Sequence, residues 1–130
     1  MTGVQTCALP IFSDQAASAL LKPLTHRLRP CHVLALQPLI HAVLPCGGQY
    51  GFASSHAANA FALATGLWLL LGNRYRRLGW LFFWATVLAY SRIYVGAHYP
   101  LDVIAGAGIG VSMALLSVGL YRKFVSTAPN

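Results

Sequence analysis

The chain has 130 residues, 9 of them Lys or Arg and 2 Asp or Glu, for a formal net charge of +7. Charged residues make up 8% and apolar ones 57%, against roughly 25% charged in a soluble domain, and mean hydropathy is +0.60. These values exclude a disordered chain, a coiled coil and an ordinary soluble domain, and leave one small all-α integral membrane domain. No nucleic-acid partner is expected: the longest basic run is NRYRR at 73–77, and membrane orientation accounts for such charges.

Residues 2–11 read TGVQTCALPI, which resembles a sequencing-library adapter translated in frame. A secretory leader fits poorly, because the segment has no basic start and no continuous apolar stretch. Residues 1–12, Cys7 included, are therefore set aside as an artefact, 13–124 are taken as the membrane domain and 125–130 as a tail. On this reading the authentic protein extends further upstream.

Ser13 or Asp14 is placed to cap an amphipathic helix running towards Arg29, with Leu20, Leu21, Leu24 and Leu28 on its apolar side and Pro23 kinking or restarting it. Pro30–Tyr50 is apolar but broken by Pro30, Pro38, Pro45, Gly47 and Gly48, which predicts short interfacial pieces and a loop. Three spans follow: His56–Leu71 with 16 residues, Leu78–Tyr94 with 17 and Leu101–Leu120 with 20. A membrane crossing takes about 20 residues, so the first is short. Gly106, Gly108 and Gly110 predict close helix packing, the first and last in G-x-x-x-G spacing. The aromatic run Trp80, Phe82, Phe83 and Trp84 reads as lipid-facing and packing surface.

Arg74, Arg76 and Arg77 lie between the first two spans, and Arg122 and Lys123 end the third. Two spans separate these groups, so they share one side, which the positive-inside rule makes cytoplasmic. His56, Arg92, His98 and Asp102 then fall on the opposite, outer face, together with Lys22, Arg27 and Arg29 if residues 30–55 stay outside.

Three clusters meet there. Lys22 and Arg29 are seven residues apart, hence on one face of a continuous helix. Ser54, Ser55 and His56 open the first span. Ser91 and Arg92 are followed by His98 and, four residues later, Asp102. Ionisable groups at membrane depth are costly and point to function. Lys22, Arg29 and Arg92 supply cations suited to phosphate oxygens, and the Ser54–Ser55 helix start favours an anion. One histidine can attack phosphorus while the other protonates the leaving oxygen. Asp102 is spaced to hold the His98 ring in the attacking tautomer. No metal or cofactor is required, since arginines and a helix dipole can neutralise phosphoryl charge. His26, Cys31, His32 and Cys46 fit no standard zinc spacing. An oxidising outer side permits a bridge between Cys31 and Cys46, but free buried thiols are the favoured expectation, and His26, Arg27, His32 and His41 are expected to be interfacial or loop residues outside any motif.

Taken together, KPLTHRLRP at 22–30, ASSH at 53–56 and SRIYVGAHYPLD at 91–102 resemble the three motifs of the type 2 phosphatidic acid phosphatase superfamily. The first and third match in full; in the second, Ala53 and Ser55 stand where the usual form has Pro and Gly. The resemblance covers about Asp14 to Leu120. It implies a membrane helical bundle that hydrolyses lipid phosphates or pyrophosphates without metal, through a phosphohistidine. It makes His98 the nucleophile, Asp102 its partner and His56 the general acid, with Lys22, Arg29, Arg92, Ser54 and Ser55 around the phosphate. Undecaprenyl pyrophosphate, phosphatidylglycerol phosphate and lipid A are the substrates it suggests, at the outer face of a bacterial inner membrane. An inactive truncated membrane fragment or lipid-binding non-enzyme, and a vanadium-dependent haloperoxidase, are the competing readings.

Overall fold

The computed structural model describes residues 22–40 and 46–126, with the side chains of Lys22 and Pro23 outside the description. The expected helical stretch before Lys22, residues 1–12, His41 and the last four residues also lie outside it. Within the described residues the chain is helical, and its one β contact is an isolated antiparallel bridge between Leu28 and Tyr50.

Helix α1, Lys22–Thr25, is a single turn. His26 then adopts φ +47°, the left-handed region, which ends a right-handed helix. Arg29 is extended at φ −68°, ψ 151°, as a residue before proline prefers. The segment pairs instead with residues 49–51: the Arg29 amide donates to the Gln49 carbonyl at 3.0 Å, and the Gly51 amide to the Arg27 carbonyl at 2.8 Å. The continuous helix expected from Lys22 to Arg29 is thus corrected, and Arg29 is carried by an extended segment rather than by a shared helix face.

Two 3₁₀ turns follow, Pro30–His32 and Leu34–Leu39, in the place where short pieces were expected. Cys31 and Cys46 are joined by a disulfide with Cα atoms 6.2 Å apart, so the expectation of free thiols is corrected as well. The turns fold the loop back until the two cysteines meet, a non-local contact that spacing alone does not encode.

Three longer helices form the body. Helix α2, Ser55–Leu71, is rich in alanine, the strongest helix former, and is capped by Ser54, whose hydroxyl accepts from the Ala57 amide. Helix α3, Trp80–Tyr94, follows a 3₁₀ turn over Arg76–Gly79, so the α-helix starts two residues later than the expected span. Helix α4, Pro100–Ser126, has Pro100 in its first turn and runs six residues beyond the expected end at Leu120.

The α2–α4 interface is the principal one in the fold. A Cβ at Gly106 would lie 2.3 Å from the Ser54 carbonyl oxygen, and one at Gly110 would lie 2.1 Å from that of Ala58. Bare backbone at these two positions is therefore what allows the helices to touch. At the far end Arg122 donates to the Leu69 carbonyl. These pairings run in one direction along both helices, so α2 and α4 are parallel, with their N-termini side by side. Gly108 has open space around it and takes no part in the packing expected of all three glycines.

Among the described residues α4, at 27 residues and with a mean hydropathy of 2.1 over its 18-residue apolar stretch, is the one helix long and apolar enough to cross a membrane. Helices α2 and α3 are apolar but shorter, at 17 and 15 residues. The outer surface is apolar: Trp80, Phe83 and Trp84 on α3 and Ile104, Leu116 and Phe124 on α4 are exposed, a surface that suits lipid rather than water.

Gly110→Leu is expected to lower stability by about 1–3 kcal/mol through forced separation of α2 and α4. Gly108→Ala is expected to be neutral or slightly stabilising. Thermal unfolding of both variants in detergent checks the contrast.

Candidate active site

Asp102 lies in the first turn of α4 and is fully buried. Its Oδ1 accepts from Arg27 Nη1 at 2.9 Å, and its Oδ2 accepts from the Tyr99 amide at 2.9 Å. The second contact is the reach-back of a capping box, which satisfies one of the free amides at a helix start. His98 Nδ1 stands 3.9 Å from the same Oδ2. That is an ion-pair distance, longer than a hydrogen bond. The Asp102 carbonyl accepts from the Ser54 amide at 2.9 Å, which ties the start of α2 to the start of α4. His98 is itself buried, 3% exposed.

The turn between α3 and α4 presents His98. Gly96 takes φ +67°, a conformation glycine adopts freely. The chain then curls back so that the amides of Ala97 and His98 both donate to the Arg92 carbonyl, at 3.0 and 3.2 Å. Arg92 and His98 are thereby fixed to one another through backbone. The Arg92 Nε is buried with no hydrogen-bond acceptor among the described residues. The Cys31 amide donates to the Gly96 carbonyl at 3.1 Å, which braces the turn against the loop.

Arg29 is partly buried, and its Nε donates to the Tyr50 carbonyl at 3.2 Å. Burial pushes its guanidinium below the ordinary arginine value, and the Asp102 charge only partly opposes this.

Of the residues singled out in the sequence, Ser54, His98, Asp102 and Arg29 come together, and Arg92 joins them through its carbonyl. Ser55 is buried at the start of α2. His56, the next residue, is exposed and lines a cavity of about 260 Å³ with Asn59, Ala60 and Leu63 of α2 and Trp84 and Leu88 of α3. The Lys22 side chain lies outside the described residues.

Arg27 is the residue that sequence reasoning missed. Outside every motif and expected at the interface or in a loop, it donates to Asp102 and stacks over the Tyr99 ring at 4.5 Å. A signal existed: a carboxylate predicted at the mouth of a span needs a cation, and Arg27 is one of few on that face. The sulfur atoms of Cys31 and Cys46 lie near His32, within 4.8 Å of one another as a group, but the disulfide removes both thiolates as metal ligands. His26 instead packs edge-on against Tyr50.

A buried His–Asp pair and arginines thus gather at the adjacent N-termini of two apolar helices. Residues 6–126 match the model of the PAP2 superfamily, and the chain belongs to that family. It is 42% identical over 101 residues to a lipid A 4′-phosphatase of Bacteroides thetaiotaomicron, covering 76% of this chain and 44% of that protein. An undecaprenyl-diphosphatase of Bacillus subtilis is 30% identical over 90 residues, 66% of this chain and 45% of the relative. The chain spans about half the length of these curated relatives. In fold it is similar to the crystal structure of a transmembrane PAP2 type phosphatidylglycerolphosphate phosphatase from Bacillus subtilis, with a TM-score of 0.70 and 22% identity, over 93% of this chain and 59% of that one.

Asp102→Asn removes the anion shared by Arg27 and His98. It is expected to lower stability by about 1–3 kcal/mol, the cost of leaving a charged donor poorly paired. A shift of the unfolding midpoint in detergent measures it; an unchanged midpoint would mean the pair contributes nothing.

Proposed function

We propose that this chain carries the catalytic centre of a lipid phosphatase, which hydrolyses a phosphate or pyrophosphate ester on a membrane lipid through a phosphohistidine. The observation that carries the reading is the gathering of His98, Asp102, Ser54, Arg29 and Arg92 at the paired N-termini of α2 and α4.

In the first step the Nε2 of neutral His98 attacks phosphorus, the P–O bond to the lipid breaks, and His56 gives its proton to the leaving oxygen. Asp102, facing Nδ1, stabilises the positive charge that develops on the ring. In the second step water attacks the phosphorus of phospho-His98 and the P–N bond breaks. His56 takes the water's proton, and inorganic phosphate leaves. Arg29, Arg92 and Lys22 hold the non-bridging oxygens, with Ser54 and Ser55 beside them at the positive end of the α2 dipole. The buried Arg92 Nε, with no acceptor among the described residues, supports an anion at this place. No step needs a metal or cofactor, because the guanidinium groups and helix dipoles bear the phosphoryl charge.

The lipid character of the substrate is supported by the apolar cavity beside His56 and by the relatives' names, which include a lipid A 4′-phosphatase and an undecaprenyl-diphosphatase. In this reading α2, α3 and α4 all cross the bilayer. Arg74, Arg76, Arg77, Arg122 and Lys123 face the cytoplasm, and the site opens at the outer face of a bacterial inner membrane. The Arg122–Leu69 contact supports a common side for the two basic groups.

Phosphate release by the purified chain in detergent with EDTA, from lipid A, undecaprenyl pyrophosphate, phosphatidylglycerol phosphate and phosphatidic acid, tests this. Release is expected to survive EDTA and to fall at least about 10³-fold in His98→Ala and about 10²–10⁴-fold in His56→Ala. Vanadate is expected to inhibit; activation towards halide oxidation would favour the haloperoxidase reading. Undiminished release by His98→Ala would overturn the mechanism.

A further inference from the structure

Asp102 is shared. Its Oδ1 is taken by Arg27 at 2.9 Å, while its Oδ2 meets the Tyr99 amide at 2.9 Å and faces His98 Nδ1 at 3.9 Å. Arg27 is held for this task from three sides: its carbonyl accepts the Gly51 amide at 2.8 Å, its guanidinium lies over Tyr99 at 4.5 Å, and the Leu28–Tyr50 bridge fixes the segment that carries it. A surface arginine pairing by chance has no such backbone support.

We propose that Arg27 is a positioning residue that divides the Asp102 carboxylate between itself and His98, and so sets the pH range in which His98 is the free imidazole able to attack. A carboxylate facing His98 with its full charge would stabilise the imidazolium, and an imidazolium has no lone pair to offer phosphorus. Arg27 takes part of that charge on the opposite oxygen. Asp102 then retains enough attraction to orient the ring and to support the cation that forms on attack, without holding the resting ring protonated. The pairing also fixes the carboxylate plane between Arg27 and the Tyr99 amide.

The other charges around the pair leave this role to Arg27. Arg29 acts on Asp102 through space from the same extended segment, with its own Nε committed to the Tyr50 carbonyl. Arg92, at the end of α3, is joined to His98 through its backbone carbonyl. From α2 the contact with Asp102 is the neutral Ser54 amide, and His56 is the titratable group of that helix's first turn. Tyr99 offers its amide to the carboxylate and its ring to Arg27. Arg27 donates a charged hydrogen bond directly to the carboxylate.

The test does not depend on finding the lipid. The imidazole nitrogens of the ¹⁵N-histidine-labelled chain are titrated by NMR in detergent, with the His98 signals assigned by their loss in His98→Ala. In Arg27→Gln the His98 midpoint is expected to rise by about 0.5–1 pH unit, while that of His56 stays in place. Arg27→Lys, which keeps the charge, is expected to restore most of the shift. Arg27→Met keeps an apolar stem over Tyr99 and is the second neutral variant should the first fail to fold. A His98 midpoint that does not move in a folded neutral variant overturns the proposal, as does an equal rise in Arg27→Lys. The inference rests on the phosphatase reading for its second arm alone. With a hydrolysed lipid in hand, the acid limb of kcat/KM is expected to move up by the same amount in Arg27→Gln, with KM little changed. Loss of release in His98→Ala tests the reading itself and is scored separately.

Discussion

A carboxylate closed off from water must have its charge met by protein, because an isolated buried anion costs many kcal/mol. Asp102 is such a group, and meeting its needs brings together parts of the chain that are far apart in sequence. Arg27 comes from the extended segment before the loop, the Tyr99 amide and His98 from the turn before α4, and the Ser54 amide from the cap of α2. Satisfying one buried residue thus assembles the histidine, the serine and the arginine-bearing segment at one end of the bundle. The same contacts that hold the fold there are those that the proposed chemistry uses.

The second constraint is the parallel contact of α2 and α4. Parallel neighbours place two helix N-termini, each the positive end of a dipole, on the same side of the bundle. That is electrostatically unfavourable unless an anion lies between or beside them. Asp102 serves as the internal anion, and a phosphate would serve as the external one. The bare backbone of Gly106 and Gly110 and the small side chains of Ala58 and Ala62 allow the approach. The packing of small residues in the middle of the bundle therefore determines the charge environment at its end.

What was legible in the sequence was mostly local. His98 and Asp102 are four residues apart with a proline between them, so a short turn into a helix fixes their relation. Ser54 and Ser55 read as a helix start for the same reason, and Gly106 and Gly110 show their packing face through helical spacing. What was not legible depended on contacts across the chain. Lys22 and Arg29 have a spacing that suits one helix face, but His26 leaves the helix and residues 27–29 pair with 49–51. That pairing turns Arg27 towards Asp102, and no helical count would find it. The Cys31–Cys46 bridge likewise depends on how two 3₁₀ turns fold the loop. Gly108 shows the limit of pattern reading in the other direction: it sits between two packing glycines but faces away from the partner helix.

The central claim is that His98 forms a covalent bond to phosphorus without help from a metal. A covalent route run in reverse exchanges phosphate oxygen with water, so no lipid need be identified to see it. Inorganic phosphate labelled with ¹⁸O, incubated with the detergent-solubilised chain and EDTA, would be followed by mass spectrometry. The account predicts stepwise loss of label with the wild-type chain and none with His98→Ala. Exchange that persists in His98→Ala, or no exchange from a chain that does release phosphate from lipid, would contradict it.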